Sequence, residues 1–314
     1  MRPLLLALCV CAVHAHAFPI AGKPVRIVVP FAPGGQTDIQ ARAIAQRMGE
    51  AGLAVIVENK PGGNTVIGAR DVQKAAPDGH TLLYTIATHV QIPHLYREPP
   101  WEPFRDFTPI TAGARSATVL TAHVSAPFNT VKELVAYARA NPGKLNYASF
   151  GGGSTSHLNG ELLKKLAGIE IVHVPYKGSA DAMKDHLTGA VQIFFDGPTT
   201  AIANAKTGRV KLIATAAETR KAALPDVPTM REAGYDVGMW GYLWFWGPGG
   251  MASETLEALH RQLARAIDHP EVKDLFAKGG SEATALPPAE MQRVAKDLDQ
   301  RWGTVIRTLN VTLD

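Results

Sequence analysis

Short apolar runs rich in β-branched residues alternate along the chain with segments whose apolar residues recur at helical spacing. Val25–Val29 is one such run, and residues 37–48 follow it with apolar side chains three or four positions apart. Two further runs, 54–57 and 81–85, continue the alternation and are separated by a helical segment and by turn-forming residues. The pattern predicts a βαβαβ unit, which begins a doubly wound sheet.

A second series of strand and helix patterns lies between residues 124 and 223. Its strand-like runs lie at 145–150, 170–174, 191–195 and 210–215. The Pro-rich stretch 93–109 is predicted to wrap a surface, and helical patterns close the chain. We therefore predict an α/β protein of two lobes, each a doubly wound sheet flanked by helices, with a ligand cleft between them. Lobe 1 would contain residues 18–123 and 224–314, and lobe 2 residues 124–223.

Two glycine-rich loops join a predicted strand to a predicted helix, one in each lobe. The first spans residues 30–38 and contains Gly34 and Gly35, and the second spans 149–157 with three consecutive glycines. Glycine lets the backbone approach a ligand closely, and unpaired amides at a helix N-terminus attract an anion. Either loop alone could equally be an ordinary turn with a helix cap. A loop of this kind in each lobe favours a clamp that holds one small carboxylate.

Polar and aromatic residues near the ends of other predicted strands extend this hypothesis. Asp196 could accept a hydrogen bond from a ligand amine or cap the next helix, and Tyr176 lies in a segment that a turn would also explain. The alternating aromatic residues at 240–246 indicate a strand with one face in the core and one toward the cleft. The residues predicted to contact the ligand are Phe31, Gly34, Gly35, Thr37, Asp38, Thr85, Thr88, His89, Ser149, Phe150, Gly152, Gly153, Ser154, Thr155, His157, Tyr176, Asp196 and Tyr242.

Other kinds of chemistry find little support in the sequence. A hydrolase that uses Ser154 and His157 is one alternative, but the Gly-x-Ser-x-Gly elbow is absent and no acid is placed beside the pair. The 11 histidines form no metal-binding motif, and both cysteines, Cys9 and Cys11, lie near the N-terminus, so we predict no metal and no cofactor. The net charge of +4 comes from scattered Lys and Arg residues, which argues against a nucleic-acid partner.

Residues 1–17 have the pattern of a secretory signal peptide. Arg2 precedes the apolar run 4–13, which is too short to cross a bilayer, and Ala15-His16-Ala17 fits a small-x-small cleavage site. We expect cleavage after about Ala17 and export of the rest of the chain. Hydrophobic residues make up 46% of the chain and charged residues 19%, so the remainder has enough apolar side chains for a packed core.

Eight short motifs, in order over most of the chain, resemble one known family. They lie at residues 30–38, 57–63, 75–79, 88–89, 147–157, 173–178, 224–229 and 301–302. Together they resemble the tripartite tricarboxylate transporter substrate-binding proteins, the TctC-like or Bug-type periplasmic solute receptors. The resemblance implies a two-lobed periplasmic binding protein fold, type II-like, without catalysis. It also implies that both glycine loops reach a ligand carboxylate, often through water, and that a tripartite membrane transporter receives the ligand. We expect a monomer.

Three departures from the family pattern point to the ligand. Ile86 and Ala87 stand where polar or glycine residues are common, Phe150 replaces a small residue, and residues 240–246 are unusually aromatic. A pocket with such walls favours an aromatic or weakly polar monocarboxylate and penalises a second unpaired charge. A sensor that signals its ligand to a partner protein would share this fold and remains the other alternative.

Overall fold

The computed structural model describes residues 18–238 and 241–313, so the predicted signal peptide and Trp240 lie outside the described residues. The strands are β1 (Val25–Val29), β2 (Val55–Asn59), β3 (Thr81–Thr85), β4 (Phe107–Ser116), β5 (Val119–His123), β6 (Asn146–Ser149), β7 (Val172–Pro175), β8 (Ile193–Asp196), β9 (Val210–Thr215), β10 (Gly241–Pro248) and β11 (Glu282–Ala283). The α-helices are α1 (Gln36–Glu50), α2 (Val66–Gln73), α3 (Thr88–Gln91), α4 (Pro103–Asp106), α5 (Val131–Ala140), α6 (Thr155–Ala167), α7 (Ser179–Thr188), α8 (Pro198–Ala205), α9 (Ser253–Ile267), α10 (Pro270–Lys278) and α11 (Pro288–Leu309). Short 3-10 helices lie at Gly63–Thr65 and Ile92–Leu95.

The strands form two separate mixed sheets. The six-stranded sheet has the order β11-β4-β10-β3-β1-β2, and the five-stranded sheet has the order β7-β6-β8-β5-β9. In the first sheet β1 runs parallel to β2 and β3, whereas β10 runs antiparallel to β3 and β4. In the second, β6 runs parallel to β7 and β8, whereas β5 runs antiparallel to β8 and β9. Helices flank both sheets, which confirms the predicted two-lobed α/β fold.

Strand β4 was not predicted, because the prediction of a surface-wrapping stretch covered its first residues. The sequence of this segment does not indicate a strand, because Pro109, Gly113 and several small residues interrupt any β-branched run. Gly113 is needed where it stands because a Cβ there would lie 2.7 Å from the Tyr84 hydroxyl oxygen. Tertiary packing therefore places a ten-residue strand where local propensity shows little preference for one.

The chain passes directly from one sheet to the other at residues 117–118. Strand β5, which the predicted division placed at the end of lobe 1, pairs with β8 and β9 of the five-stranded sheet. Met230 and Val237, predicted to lie in lobe 1, pack into the core of that second sheet. A strand pattern states that a segment is extended but not which neighbour it pairs with, so these two boundaries could not be located from sequence.

The first sheet is covered on both faces. Val25, Ile27 and Val29 of β1 pack on one face with side chains from α1, α9 and α10. The opposite face holds Trp244 and Trp246 together with side chains of α2, α3 and α11. Full burial of each such large side chain contributes roughly 1.5–3 kcal/mol, so these strands are held mainly by packing on two faces. Within 18–238 and 241–313, no helix has both the length and the apolar character needed to cross a membrane.

A candidate anion-binding cleft between the two sheets

A cavity of about 630 Å³, counted with its open mouth, lies between the two lobes. The carboxyl ends of β1, β3, β6 and β8 lead into it, which is the usual place for a ligand in parallel α/β sheets. It is lined by Phe31, Gly35, Gln36, Thr37, Ile86, Ala87, Ser116, Ala117, Thr118, Phe150, Thr155, Ser179, Gly197, Pro198, Gly241, Tyr242 and Leu243.

Four helices begin at the wall of this cavity. Their first residues, Gln36, Thr155, Ser179 and Pro198, all line it. No side chain caps the N-termini of α1, α7 and α8 at Gly35, Gly178 and Gly197, so first-turn amides are available to a ligand or to water. Each N-terminus carries a partial positive charge that contributes roughly 0.3–2 kcal/mol to holding an anion. The cavity therefore offers concentrated positive potential from backbone groups.

Most of the remaining wall is apolar, with a few hydroxyl groups and one amide. Phe31, Ile86, Phe150 and Leu243 line it, and none of the described residues on the wall carries a Lys, Arg, Asp or Glu side chain. Trp244 lies behind the wall and donates from Nε1 to the Ile86 carbonyl oxygen at 3.0 Å. This bond fixes the backbone of Ile86, so the packing of the core holds the apolar side of the cavity in place.

The first glycine loop places its backbone, and not its acid, toward the cavity. Gly34 has φ of +82°, and its N–H donates to Asp38 Oδ2 at 2.9 Å. Arg42 lies 2.9 Å from Asp38 Oδ1. Burial alone would raise the pKa of Asp38, but the bonds from Arg42 and Gly34 outweigh it and hold the pKa below its usual range. Asp38 thus braces the turn, while Gly35 and Thr37 reach the wall.

The second glycine loop is covered by lobe 1. A Cβ at Gly152 would lie 2.9 Å from Leu313 Cδ2, and one at Gly153 would lie 2.5 Å from Leu95 Cδ1. These glycines make room for side chains from the opposite lobe and do not line the cavity. Only Phe150 and Thr155, on either side of them, do so. In lobe 2, the N-termini of α7 and α8 line the cavity where the prediction had placed Gly152 and Gly153.

The hydroxyl and imidazole groups of this loop bond to one another and to the backbone. Ser154 Oγ donates to the Gly151 carbonyl oxygen at 2.7 Å, and His157 Nδ1 accepts from the Gly153 N–H at 3.0 Å. Ser149 Oγ lies 2.6 Å from His173 Nε2, and the His173 ring stacks on His157 at 3.9 Å. Burial lowers the pKa of His157 to about 4. Among the described residues no imidazole nitrogen accepts from Ser154, so Ser154 and His157 do not form the geometry of a Ser-His nucleophile.

The predicted contacts at the end of β3 lie in the protein core. His89 packs between Trp101, Phe107 and Trp246, and burial lowers its pKa to about 3, so it is neutral. Thr85 and Thr88 are also buried away from the cavity. Residue type alone does not show whether the residues after a strand face a ligand or, as here, form a short helix that packs into the core.

Tyr176 and Asp196 also lie off the wall. The Tyr176 hydroxyl donates to Asp185 Oδ2 at 2.6 Å. Asp196 is fully buried at the start of α8, where Oδ1 accepts from the Gly197 N–H at 2.7 Å and Oδ2 accepts from the Thr200 hydroxyl at 2.6 Å. Loss of hydration raises its pKa to about 6. Asp196 therefore stabilises the α8 N-terminus through hydrogen bonds on its buried side.

Several wall residues were not predicted. Gln36 bonds from Nε2 to the hydroxyls of Ser116 and Ser281, each at 3.1 Å, at the floor of the cavity. Ser179 directly follows the motif at 173–178, and Gly197-Pro198 directly follows Asp196. Pro is common at the first position of a helix, so Pro198 could have indicated that a helix begins there. No sequence pattern indicates that residues 116–118 line the cavity, because they do so only where the chain crosses from one lobe to the other. No group of three His, Cys, Asp or Glu residues forms a metal site in the part of the chain that the structure describes.

The fold and the interlobe cleft define a two-lobed binding protein of the periplasmic type. The family model "Tripartite tricarboxylate transporter family receptor" matches residues 40–311, and the chain therefore belongs to this family. A relative from Pseudomonas sp. strain P51, the UPF0065 protein in the tcbD-tcbE intergenic region, is 34% identical over 300 residues, which cover 94% of this chain and 88% of that protein. The predicted family is confirmed.

Solved structures agree with this assignment. The periplasmic binding protein BugD is 33% identical with a TM-score of 0.88, and the match covers 93% of this chain and 99% of BugD. A protein of R. palustris solved with adipate is 31% identical with a TM-score of 0.88, over 93% and 99% of the two chains. MatC from Rhodopseudomonas palustris with bound malate is 29% identical with a TM-score of 0.87, over 91% and 100%.

Proposed function

We propose that this protein is a periplasmic receptor that captures a small monocarboxylate with an apolar body and delivers it to a membrane transporter of the tripartite tricarboxylate type. Membership of the receptor family supports the transport role. The similar structures with adipate and malate support a carboxylate as the ligand class. The signal-peptide pattern of residues 1–17 supports export.

The convergence of four helix N-termini on a cavity without charged wall residues carries the proposal. The positive ends of α1, α6, α7 and α8 can hold one carboxylate through amides and ordered water. A second carboxylate against Phe31, Ile86 and Leu243 would lose hydration with no cation on the wall to compensate. The cavity therefore favours a ligand with one charged end and an apolar remainder.

The proposal includes binding without turnover. The hydroxyl of Ser154 is engaged with backbone, and His157 accepts from Gly153 through Nδ1. A general base must reach the proton that it removes, and this pair does not meet that condition. Incubation with p-nitrophenyl esters of the same acids should release no nitrophenol above the rate in buffer.

Isothermal titration calorimetry of the chain that begins at Phe18 tests the ligand class. We expect hexanoate or benzoate to bind at least ~10-fold more tightly than adipate or malate, a difference of about 1.4 kcal/mol. Ile86→Asn should weaken the monocarboxylate at least ~5-fold because it places an amide on the apolar wall. Ile56→Asn is the matched control, since Ile56 is 53% exposed and lies outside the cavity. Tighter binding of malate or adipate would refute the proposal.

A further inference from the structure

A second cavity, of about 660 Å³ with its open mouth, adjoins the first. We call the first cavity the inner chamber and the second the outer chamber. Phe150 lines both, and no other described residue does. The inner chamber is walled mainly by buried residues, whereas the outer chamber includes the exposed residues Gly63, Pro175 and Lys177. The side chain of Phe150 thus stands between a largely apolar space and one whose walls are more polar.

The backbone on either side of Phe150 is held in place. The Gly151 N–H donates to Ser149 Oγ at 3.2 Å, and the Gly151 carbonyl oxygen accepts from Ser154 Oγ at 2.7 Å. The Phe150 ring meets the buried ring of Phe194 edge to face, with centroids 5.6 Å apart. Displacement of the Phe150 ring would break its contact with Phe194, so this contact holds the ring as a partition between the two chambers.

A contact between the lobes completes this partition. The Ala32 N–H donates to the Lys177 carbonyl oxygen at 2.9 Å, which joins the first glycine loop to the loop before α7. Gly178 follows with φ of +147°, and a Cβ there would lie 3.1 Å from the Ala32 nitrogen. The loops touch beside Phe31, a residue of the inner chamber, and Lys177 faces the outer chamber.

The outer chamber has a different chemical character from the inner one. Lys177 lines it and forms no ion pair with any residue that the structure describes. Asp181, the acid on the same wall, is paired with Lys184 at 3.3 Å. The amide of Asn64 also lines the chamber. An anionic group placed here would find a cation and an amide within the same hollow.

We infer that Phe150 is the specificity-determining residue of the cleft, and that the outer chamber is a subsite for the second carboxylate of a longer ligand, which Phe150 keeps closed. This inference rests on the proposed function, because it takes the inner chamber as the site of the first carboxylate. It predicts that the preference for monocarboxylates is imposed by one side chain, and that its truncation joins the two chambers.

Calorimetry with hexanoate and adipate, which share a six-carbon chain, tests this inference. The wild-type chain should prefer hexanoate by at least ~10-fold, and Phe150→Ala should shift the ratio of the two dissociation constants at least ~10-fold toward adipate. Lys177→Ala should change adipate binding less than ~2-fold in the wild-type background and abolish the gain in the Phe150→Ala background. Lys144→Ala, at the amino-terminal side of β6, is the matched lysine control and should leave the gain intact.

Phe150→Leu provides a second variant whose side chain keeps most of the packing against Phe194. It should shift the ratio in the same direction by a smaller factor, and thermal unfolding without ligand shows whether each variant is folded. An unchanged ratio in a folded Phe150→Ala or Phe150→Leu chain would overturn the partition. A gain that survives Lys177→Ala would overturn the subsite. Failure of the wild-type chain to bind any of these acids would instead overturn the proposed function.

Discussion

At the scale of single residues, the cleft depends on positions where a side chain is absent. Gly197 has φ of −66°, which any residue can adopt, so its backbone does not require glycine. Its surroundings do, because a Cβ there would lie 2.2 Å from Gln36 Oε1 and 3.2 Å from Gln36 Cβ. Gln36 is in turn fixed by its bonds to Ser116 and Ser281. The close approach of Gly197 to Gln36 therefore sets the distance between the two lobes at the cavity.

Gly197→Ala should weaken ligand binding at least ~10-fold while lowering stability only modestly, because the added methyl forces Gln36 or the α8 N-terminus to move. Gly49→Ala is the matched control, since Gly49 lies within α1 and a Cβ there meets no atom within 4 Å. That control should retain binding and raise stability by up to about 1 kcal/mol through helix propensity. Calorimetry and urea unfolding measure both effects, and equal affinities in the two variants would contradict the expected role of Gly197.

At the scale of elements, the site is made by where helices begin. Of the four helices that open onto the cavity, α1, α7 and α8 lack a side-chain cap, whereas α6 has Ser154 as its cap, which accepts from the His157 N–H at 3.3 Å. Uncapped first turns leave donors for a ligand. At the α8 N-terminus, Asp196 lies on the buried side and accepts hydrogen bonds from the Gly197 N–H and the Thr200 hydroxyl.

Asp196 should make stability fall as pH rises through the acid range. Its pKa is about 6 in the folded chain against an ordinary value of 3.8, so the folded state holds the proton more tightly. Stability from this group is complete below pH 3.8 and is lost as pH rises toward 6, by on the order of 3 kcal/mol. Urea unfolding of the wild type and Asp196→Asn between pH 4 and 7 should show the variant gaining relative stability across this window. Parallel pH profiles would contradict the assignment.

At the scale of the whole molecule, the two lobes interlock beside the cavity. Leu313 follows α11, donates from its N–H to the Leu95 carbonyl oxygen at 2.9 Å, and places its side chain over Gly152 and Gly153 of the other lobe. The Ala32 to Lys177 bond joins the lobes at a second point. These contacts hold the arrangement in which the four helix N-termini face one cavity.

Gly153→Ala should hold the lobes apart, because its Cβ would lie 2.5 Å from Leu95 Cδ1 and 2.9 Å from Leu313 Cδ1. We expect at least ~10-fold weaker binding and, in small-angle X-ray scattering with ligand, a larger radius of gyration than the wild type. Gly168→Ala is a close control, since it has φ of +58° against +71° for Gly153 but no atom within 4 Å of its Cβ. The control carries similar backbone strain, so equal losses of binding in both variants would rule out the interlobe contact as the cause.

Local sequence determined most of the elements and the first half of the site. The β-branched run of β1 and the run of β3 form strands with the predicted bounds, because burial on both faces demands such runs. The glycine loop after β1 could be recognised as an approach to a helix N-terminus, and Gly35 and Thr37 lie on the wall. Ile86 and Phe150 could be marked as apolar departures, and both line the cavity.

Only the tertiary structure decided which residues meet. Gly152, Gly153 and His89 have the residue types of a ligand site, yet contacts from distant segments place the glycines under Leu313 and the histidine among tryptophans. Ser116 and Gln36 meet at the cavity floor because the chain crosses between sheets beside α1. Sequence spacing records neighbours along one strand or helix, whereas a cleft is formed by elements far apart in the chain. The amide-rich, uncharged wall therefore appears only when both lobes are in place.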